Sequence, residues 1–94
     1  MKPEEKDLIR RNEPELVKDI IPSSLLSWLL CLTNEDKEVI TAEERNYGPI
    51  KASITLLDRL KRRDEAFQQL VVALRKNMLG HLALLLDPDN KVED

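Results

Sequence analysis

The chain has 94 residues, of which 41% are hydrophobic and 35% are charged, and its formal net charge is −3. This composition excludes a membrane-embedded protein and a chain that is disordered throughout, and the negative charge argues against a general nucleic-acid binder. Three aromatic residues and two glycines leave leucine, isoleucine and valine as the main apolar residues, which favours helices. The single cysteine, Cys31, excludes an intrachain disulfide, and no signal peptide or membrane span is visible. We therefore expect a reducing compartment, the cytosol or nucleus, and assign the protein to the cytoplasm.

The first predicted helical segment runs from Glu4 to Ile21 and contains Pro14. Apolar residues recur at helical spacing along one face of this segment: Leu8, Ile9, Leu16, Val17, Ile20 and Ile21. Asn12 and Glu15 resemble a capping pair, and a proline is tolerated in the first turn of a helix. The segment is therefore predicted to form two half-helices that meet at an angle near Asn12. The alternative is a frayed N-terminus followed by one short helix.

The second and third predicted helices follow a stop signal at Pro22–Ser24, which ends the first segment and caps the next one. The second helix, LLSWLLCLT, is apolar on nearly every side, so we expect it to lie deep in the core. Thr33 and Asp36 predict the N-terminal cap of a third, acidic helix. Val39 and Ile40 are its expected buried residues.

The fourth predicted helix begins at Pro49, after a turn at Asn46–Gly48. It is expected to bury Ile50, Ile54, Leu57 and Leu60, and to expose Lys51, Arg59, Arg62 and Arg63.

The last two predicted helices complete an all-helical chain. Asp64 is the expected cap of the fifth helix, Asn77 its end, and its buried stripe is Phe67, Leu70, Val71 and Leu74. The sixth helix, HLALLLD, is closed by Pro88 and followed by a tail, residues 89–94, that we expect to be flexible. The pattern predicts a single all-α domain over residues 1–94 with its core at about residues 5–88, cut from a longer protein.

The sequence contains few groups that could perform catalysis or bind a metal. His81 is the sole histidine and is interpreted as a partly buried surface residue, and Cys31 lies within an apolar run, where a thiol is inert. No Cys/His cluster, calcium loop or glycine-rich phosphate loop is present. Lys61–Arg63 resembles a localisation signal or phosphate contact, but acids follow it immediately. We therefore predict no catalytic residue, no metal, no cofactor and no enzymatic activity.

The charge changes sign between the third and fourth predicted helices. Residues 34–45 carry five acids and two bases, whereas residues 49–63 carry five bases and one acid. Two outward faces of opposite sign would be complementary to each other in neighbouring copies, and such a head-to-tail contact produces an open string of molecules. The alternative is that mixed charge only keeps a leucine-rich bundle soluble.

Several passages, in this order, resemble those of the caspase recruitment domain (CARD) family. They are DLIRRNEPELVKDI, LLSWLLCLTNEDKEVI, KASITLLDRLKRRDEAFQQLVVALR and HLALLLDP, which together cover about residues 5–88. The resemblance implies a six-helix antiparallel bundle of the death fold, with Greek-key topology and a kinked first helix. One departure is Arg62–Asp64, where many members have a Lys-Gly turn. ITAEERNYGPIKA is also similar to the CARDs of cytosolic viral-RNA-sensing helicases.

The resemblance implies a homotypic interaction module that assembles signalling oligomers in apoptosis or innate immunity. The partner would be another CARD-containing protein, such as a caspase, adaptor or receptor, or a second copy of the chain, with no membrane involved. The basic face implied by the resemblance lies on helices one and four and consists of Arg10, Arg11, Lys18, Arg59, Arg62 and Arg63. The acidic face, on helices two and three, consists of Glu35, Asp36, Glu38, Glu43 and Glu44.

Three alternatives are weighed against this interpretation. The first is a nucleic-acid-binding helical domain that uses the basic face of the fourth helix, although the neighbouring acids argue against nucleic acid as a partner. The second is another branch of the death fold, such as a pyrin or death-effector domain, which a broken first helix disfavours. An enzyme is the third and most distant.

Overall fold

The computed structural model describes residues 1–94 and contains six α-helices, one short 3₁₀ helix and no β-strand. The α-helices are α1 (Pro3–Asp19), α2 (Pro22–Leu25), α3 (Asn34–Tyr47), α4 (Pro49–Lys61), α5 (Ala66–Lys76) and α6 (Gly80–Leu86). The 3₁₀ helix, Leu26–Trp28, directly follows α2. The predicted all-α architecture is confirmed, and the bundle is consistent with the death fold.

All six helices contribute to one hydrophobic core of 20 buried apolar side chains. Six of these side chains come from α5, which makes it the central helix: Ala66, Phe67, Leu70, Val71, Ala73 and Leu74. The predicted stripe of α5 and its end at Asn77 are confirmed. None of the helices combines the length and the apolar character needed to cross a membrane.

The first helix is continuous through Pro14 rather than divided at Asn12. The Asn12 side chain donates a hydrogen bond to the Leu8 carbonyl at 2.9 Å, as a residue within a helix does, and does not cap a second segment. Ile9 and Leu16, on either side of Pro14, are both fully buried. Packing against the core on both sides therefore holds one helix together across the hydrogen bond that proline cannot donate. The prediction of two half-helices that meet near Asn12 is wrong, while the kink of the first helix implied by the family resemblance stays a prediction.

The second predicted helix is shorter and less buried than its composition suggests. α2 ends at Leu25 and gives way to the 3₁₀ helix and a loop, so the apolar residues no longer share one helical face. Leu25 and Leu29 are buried, but Trp28 is 43% exposed and Leu30 is 78% exposed. The expectation that the whole segment lies deep in the core is therefore wrong.

The buried face of α4 is rotated relative to the prediction. Leu57 and Leu60 are buried as expected, but Ile50 is 58% exposed and Ile54 is 47% exposed. The buried face of α4 is completed instead by two small residues, Ala52 and Ser53, and by Leu56. The reason is that α4 packs against both α1 and α3, and small side chains allow close approach. Ser53 Oγ donates to the Ile20 carbonyl at 3.2 Å across this contact.

Of the four predicted helix caps, Asn12 and two others are wrong, and one is confirmed. α5 begins at Ala66 without a side-chain cap, so Asp64 does not cap it. α2 begins at Pro22 after Ile21, and no serine caps it. The Thr33–Asp36 capping box of α3 is present, with each side chain accepting a hydrogen bond from the backbone N–H of the other.

The tail after α6 is held against α5 by Arg75 and Asp87. The Asp87 carboxylate accepts the backbone N–H groups of Lys91 and Val92 at 2.9 and 2.8 Å. The Arg75 guanidinium donates to Asp87 Oδ2 at 2.9 Å and to the Val92 carbonyl at 2.6 Å. The flexibility of residues 89–94 stays a prediction, and these contacts argue against it.

Candidate protein-interaction surface

The turn between α3 and α4 sets the geometry of the charged surface. Gly48, the single residue between the two helices, has φ +94°, a left-handed conformation that favours glycine. Pro49 then starts α4, because its fixed φ suits the first helical position. The two helices fold back on each other as a hairpin. α4 packs against α3 on one side and against α1 on the other.

Three polar contacts join α3 to α4 along this hairpin. Near the turn, Lys51 Nζ lies 4.4 Å from the centre of the Tyr47 ring. In the middle, the Thr55 hydroxyl donates to the Glu43 carboxylate. At the far end, Asp36 at the start of α3 receives arginines from the end of α4. The contact between the two helices therefore includes charged residues that were predicted to lie on opposite outward faces.

Asp36 is the most heavily bonded of these residues. Its Oδ1 accepts from Arg59 Nη1 at 3.0 Å, and its Oδ2 accepts from Arg63 Nη2 at 2.6 Å. The Thr33 backbone N–H donates to the same Oδ2 at 3.0 Å, and only 1% of Asp36 is exposed. The prediction that Asp36 belongs to an outward acidic face is wrong, because the first turn of α3 points this side chain inward, towards α4.

The surroundings of Asp36 keep its carboxylate ionised. Burial by itself raises the pKa of this carboxyl, but hydrogen bonds from Thr33, Arg63 and Arg59 outweigh burial and lower its pKa from 3.8 to about 2. At neutral pH the Asp36 carboxylate is therefore ionised and forms ion pairs with both Arg59 and Arg63. Arg59 and Arg63 remain 28% and 35% exposed as side chains, so they are only partly available to a partner.

The rest of the basic face is exposed on α1 and at the end of α4. Arg10 and Arg11 both pair with Asp7 on their own helix, and Arg62 pairs with Asp58 at 3.0 Å. These contacts are local and solvent-exposed, and such pairs contribute little and exchange easily with other partners. Lys18 is exposed and forms no ion pair within the chain.

The acidic face also divides into free and occupied residues. Glu35 and Glu38 are exposed and form no ion pair. Glu43 accepts from Thr55, and Glu44 accepts both the backbone N–H and the hydroxyl of Ser23 at 2.9 Å. All five predicted acids lie on α3, and α2 contributes none. The free acidic charge is therefore concentrated near the start of α3.

Sequence reasoning missed two features of this surface. Lys37 and Arg45 on α3 are not ion-paired, and with Thr41 between them they form a stripe at four-residue spacing. This spacing was readable from the sequence, but the excess of acids in the segment concealed it. The second feature is the exposed apolar pair Ile50 and Ile54. No sequence signal distinguished their exposure, because they fit the predicted buried stripe.

The side chains that could take part in catalysis or metal binding are dispersed over the fold. His81 Nε2 lies 2.9 Å from Asp19 Oδ2 in an exposed pair between α6 and the end of α1. Burial raises the pKa of the Cys31 thiol, which disfavours the reactive thiolate. No group of three or more His, Cys, Asp or Glu side chains has an arrangement that could hold a metal ion.

Comparison with known proteins agrees with the helical architecture. A search of solved structures finds no significant match. A family model described as "Caspase recruitment domain" matches residues 1–90, which is nearly the whole chain. This match also decides against the pyrin and death-effector branches, which the continuous first helix would otherwise leave open. CARDs are protein-interaction modules that bind other CARD-containing proteins, and this chain belongs to the caspase recruitment domain family.

Proposed function

We propose that this domain assembles signalling oligomers by head-to-tail contact between its basic and acidic faces. The observation that carries the proposal is the position of α4 between α1 and α3. This arrangement separates the exposed bases of α1 from the free acids at the start of α3. A rigid body with opposite charges on separate sides can add further copies in one direction.

The residues proposed to contact a partner are those whose charge is available. On the basic face they are Arg10, Arg11, Lys18 and Arg62, and on the acidic face they are Glu35 and Glu38. Asp36, Arg59 and Arg63 act inside the domain as an ion-paired cluster that fixes α3 against α4. Glu43 and Glu44 hold neighbouring helices in the same way, so we assign them a secondary part in binding.

Membership of the family supports a proposal for the biological setting. We propose a cytoplasmic adaptor function in apoptosis or innate immunity, in which the partner is a CARD of a caspase, an adaptor or a receptor, or a second copy of this domain. The nucleic-acid alternative loses support, because two of the three arginines near the end of α4 bind Asp36 rather than facing outward.

Charge reversal on each face tests the proposal. One variant carries Glu35→Lys and Glu38→Lys, and the other carries Arg10→Glu and Arg11→Glu. Each variant alone should lose self-association in sedimentation at low salt, because like charges then meet across the contact. An equimolar mixture of the two should recover it, since each retains one native face and the reversed faces are complementary.

The matched control carries Asp89→Lys and Glu93→Lys in the exposed tail, which changes the net charge by the same amount as the first variant. It should associate like the unmodified chain. If it loses association equally, net charge rather than a specific face controls the contact. If the reversed pair fails to recover association on mixing, the proposed faces do not contact each other.

A further inference from the structure

The outward side of α4 carries an apolar patch beside the charged faces. Ile50 and Ile54 lie one turn apart on the exposed side of α4, and Tyr47 at the end of α3 is 67% exposed next to them. We call Tyr47, Ile50 and Ile54 the α4 patch. Ile50 is 58% exposed and Ile54 is 47% exposed, so covering the exposed part of these side chains in a contact would gain free energy.

The charges around the α4 patch are arranged so that the patch is complementary to itself. Lys51, at the N-terminal side of Ile54, is a cation, and Asp58, one turn beyond Ile54, is an anion. A two-fold axis that lies in the plane of the contact, perpendicular to α4, sets the α4 helices of two copies face to face and antiparallel. The cation of each copy is then directed towards the anion of the other.

We propose that the α4 patch binds the α4 patch of a second copy through a two-fold contact. Rows of side chains at four-residue spacing interdigitate when two helices pack, so Ile50 of each copy lies beside Ile54 of the other. Lys51 of each copy reaches towards Asp58 of the other. The present partner of Asp58, Arg62, forms an exposed pair that yields easily.

A second copy fits this patch better than a lipid surface does. An interfacial helix carries cations around its apolar face, whereas Asp58 and Glu43 are anions next to the α4 patch on α4 and α3. The contact is isologous and closes after two copies, so it differs from the head-to-tail contact of the proposed function and does not depend on it. Together the two contacts would join two strings of domains side by side.

Disulfide trapping tests the two-fold contact. In a Cys31→Ser background, chains with Ile50→Cys are mixed with chains with Ile54→Cys in a glutathione redox buffer. The mixture should form the mixed disulfide at least about tenfold faster than a Met78→Cys chain forms its own, because a specific contact raises the effective thiol concentration. Met78 is 91% exposed and far from α4 in sequence, so its rate reports random collision. Equal rates would overturn the proposal.

The same assay separates this contact from the proposed function. Adding Glu35→Lys and Glu38→Lys to the Ile50→Cys and Ile54→Cys chains should leave the trapping rate unchanged, even where those changes abolish charge-driven association. If the rate falls to that of the Met78→Cys control, the α4 patch belongs to the head-to-tail contact and the two-fold geometry is wrong. An added Tyr47→Glu should slow trapping, because it places an anion at the edge of the patch.

Discussion

Asp36 and Asp87 are buried aspartates with similar bonding, and they stabilise different parts of the bundle. Asp36 accepts one backbone N–H group and two arginines, whereas Asp87 accepts two backbone N–H groups and one arginine. Each residue is less than a tenth exposed. Asp36 joins the start of α3 to the end of α4, two of the longer helices, whereas Asp87 joins α5 to the last residues of the chain. The pKa of both carboxyls is lowered, and that of Asp36 falls to about 2.

The difference lies in where their arginines come from. Asp87 binds Arg75, which no surface prediction had included. Asp36 binds Arg59 and Arg63, which the family resemblance implied for partner binding. A charged residue in this fold can therefore serve internal packing or external binding, and a buried aspartate nearby decides which. This distinction gives each cluster a measurable consequence.

Removing Asp36 should have the largest effect. Asp36→Ala leaves the Thr33 N–H and two arginines without their acceptor. Loss of the ion pairs between this buried carboxylate and the partly exposed arginines should cost about 3 kcal/mol of unfolding free energy. Urea denaturation measures the loss. The control is Glu35→Ala, the exposed neighbour without an ion pair, which should change stability by about 0.5 kcal/mol or less. Equal effects of the two substitutions would show that the Asp36 cluster is not structural.

Lowering the pH should reduce the contribution of the same cluster to the unfolding free energy. Because the pKa of Asp36 is lower in the folded chain than its ordinary value of 3.8, its contribution is fully present above that value. The contribution is lost as the pH falls from about 4 towards about 2, and amounts to about 2 kcal/mol at 1.36 kcal/mol per pKa unit. Unfolding free energy measured against pH should fall more steeply for the native chain than for Asp36→Asn. Parallel curves would contradict the assignment.

Removing Asp87 should have the smallest effect on global stability and the clearest local one. Asp87→Ala should cost about 1 kcal/mol, since it releases only the tail. Hydrogen exchange at the Lys91 and Val92 amides, which donate to Asp87, should become fast, while amides of α3 and α4 keep their protection. The exposed Asp89→Ala serves as the control and should leave both amides protected. Fast exchange at these amides in the native chain would instead confirm the flexible tail that the sequence predicts.

The sequence predicted the bundle better than it predicted the surface. The apolar stripe of α5 and the Thr33–Asp36 cap are local signals, and both predictions are confirmed. The exposure of Ile50 and Ile54 depends on which sides of α4 its neighbours cover, and no local pattern carries that information. The same holds for Asp36, whose carboxylate fits an exposed acidic face by spacing alone. Its arginines lie 23 and 27 residues further along the chain, a pairing that only the folded hairpin reveals.

The arginines in α4 and directly after it divide between fold and binding, and a comparison of Arg59→Glu with Arg62→Glu tests this division most directly. Both changes have the same chemistry and lie three residues apart, but Arg59 bonds buried Asp36 while Arg62 bonds exposed Asp58. Parallel urea denaturation and self-association should show Arg59→Glu unfolding at clearly lower urea. Arg62→Glu should keep the native midpoint and associate more weakly. Equal midpoints for the two variants, or weaker association only with Arg59→Glu, would contradict the account.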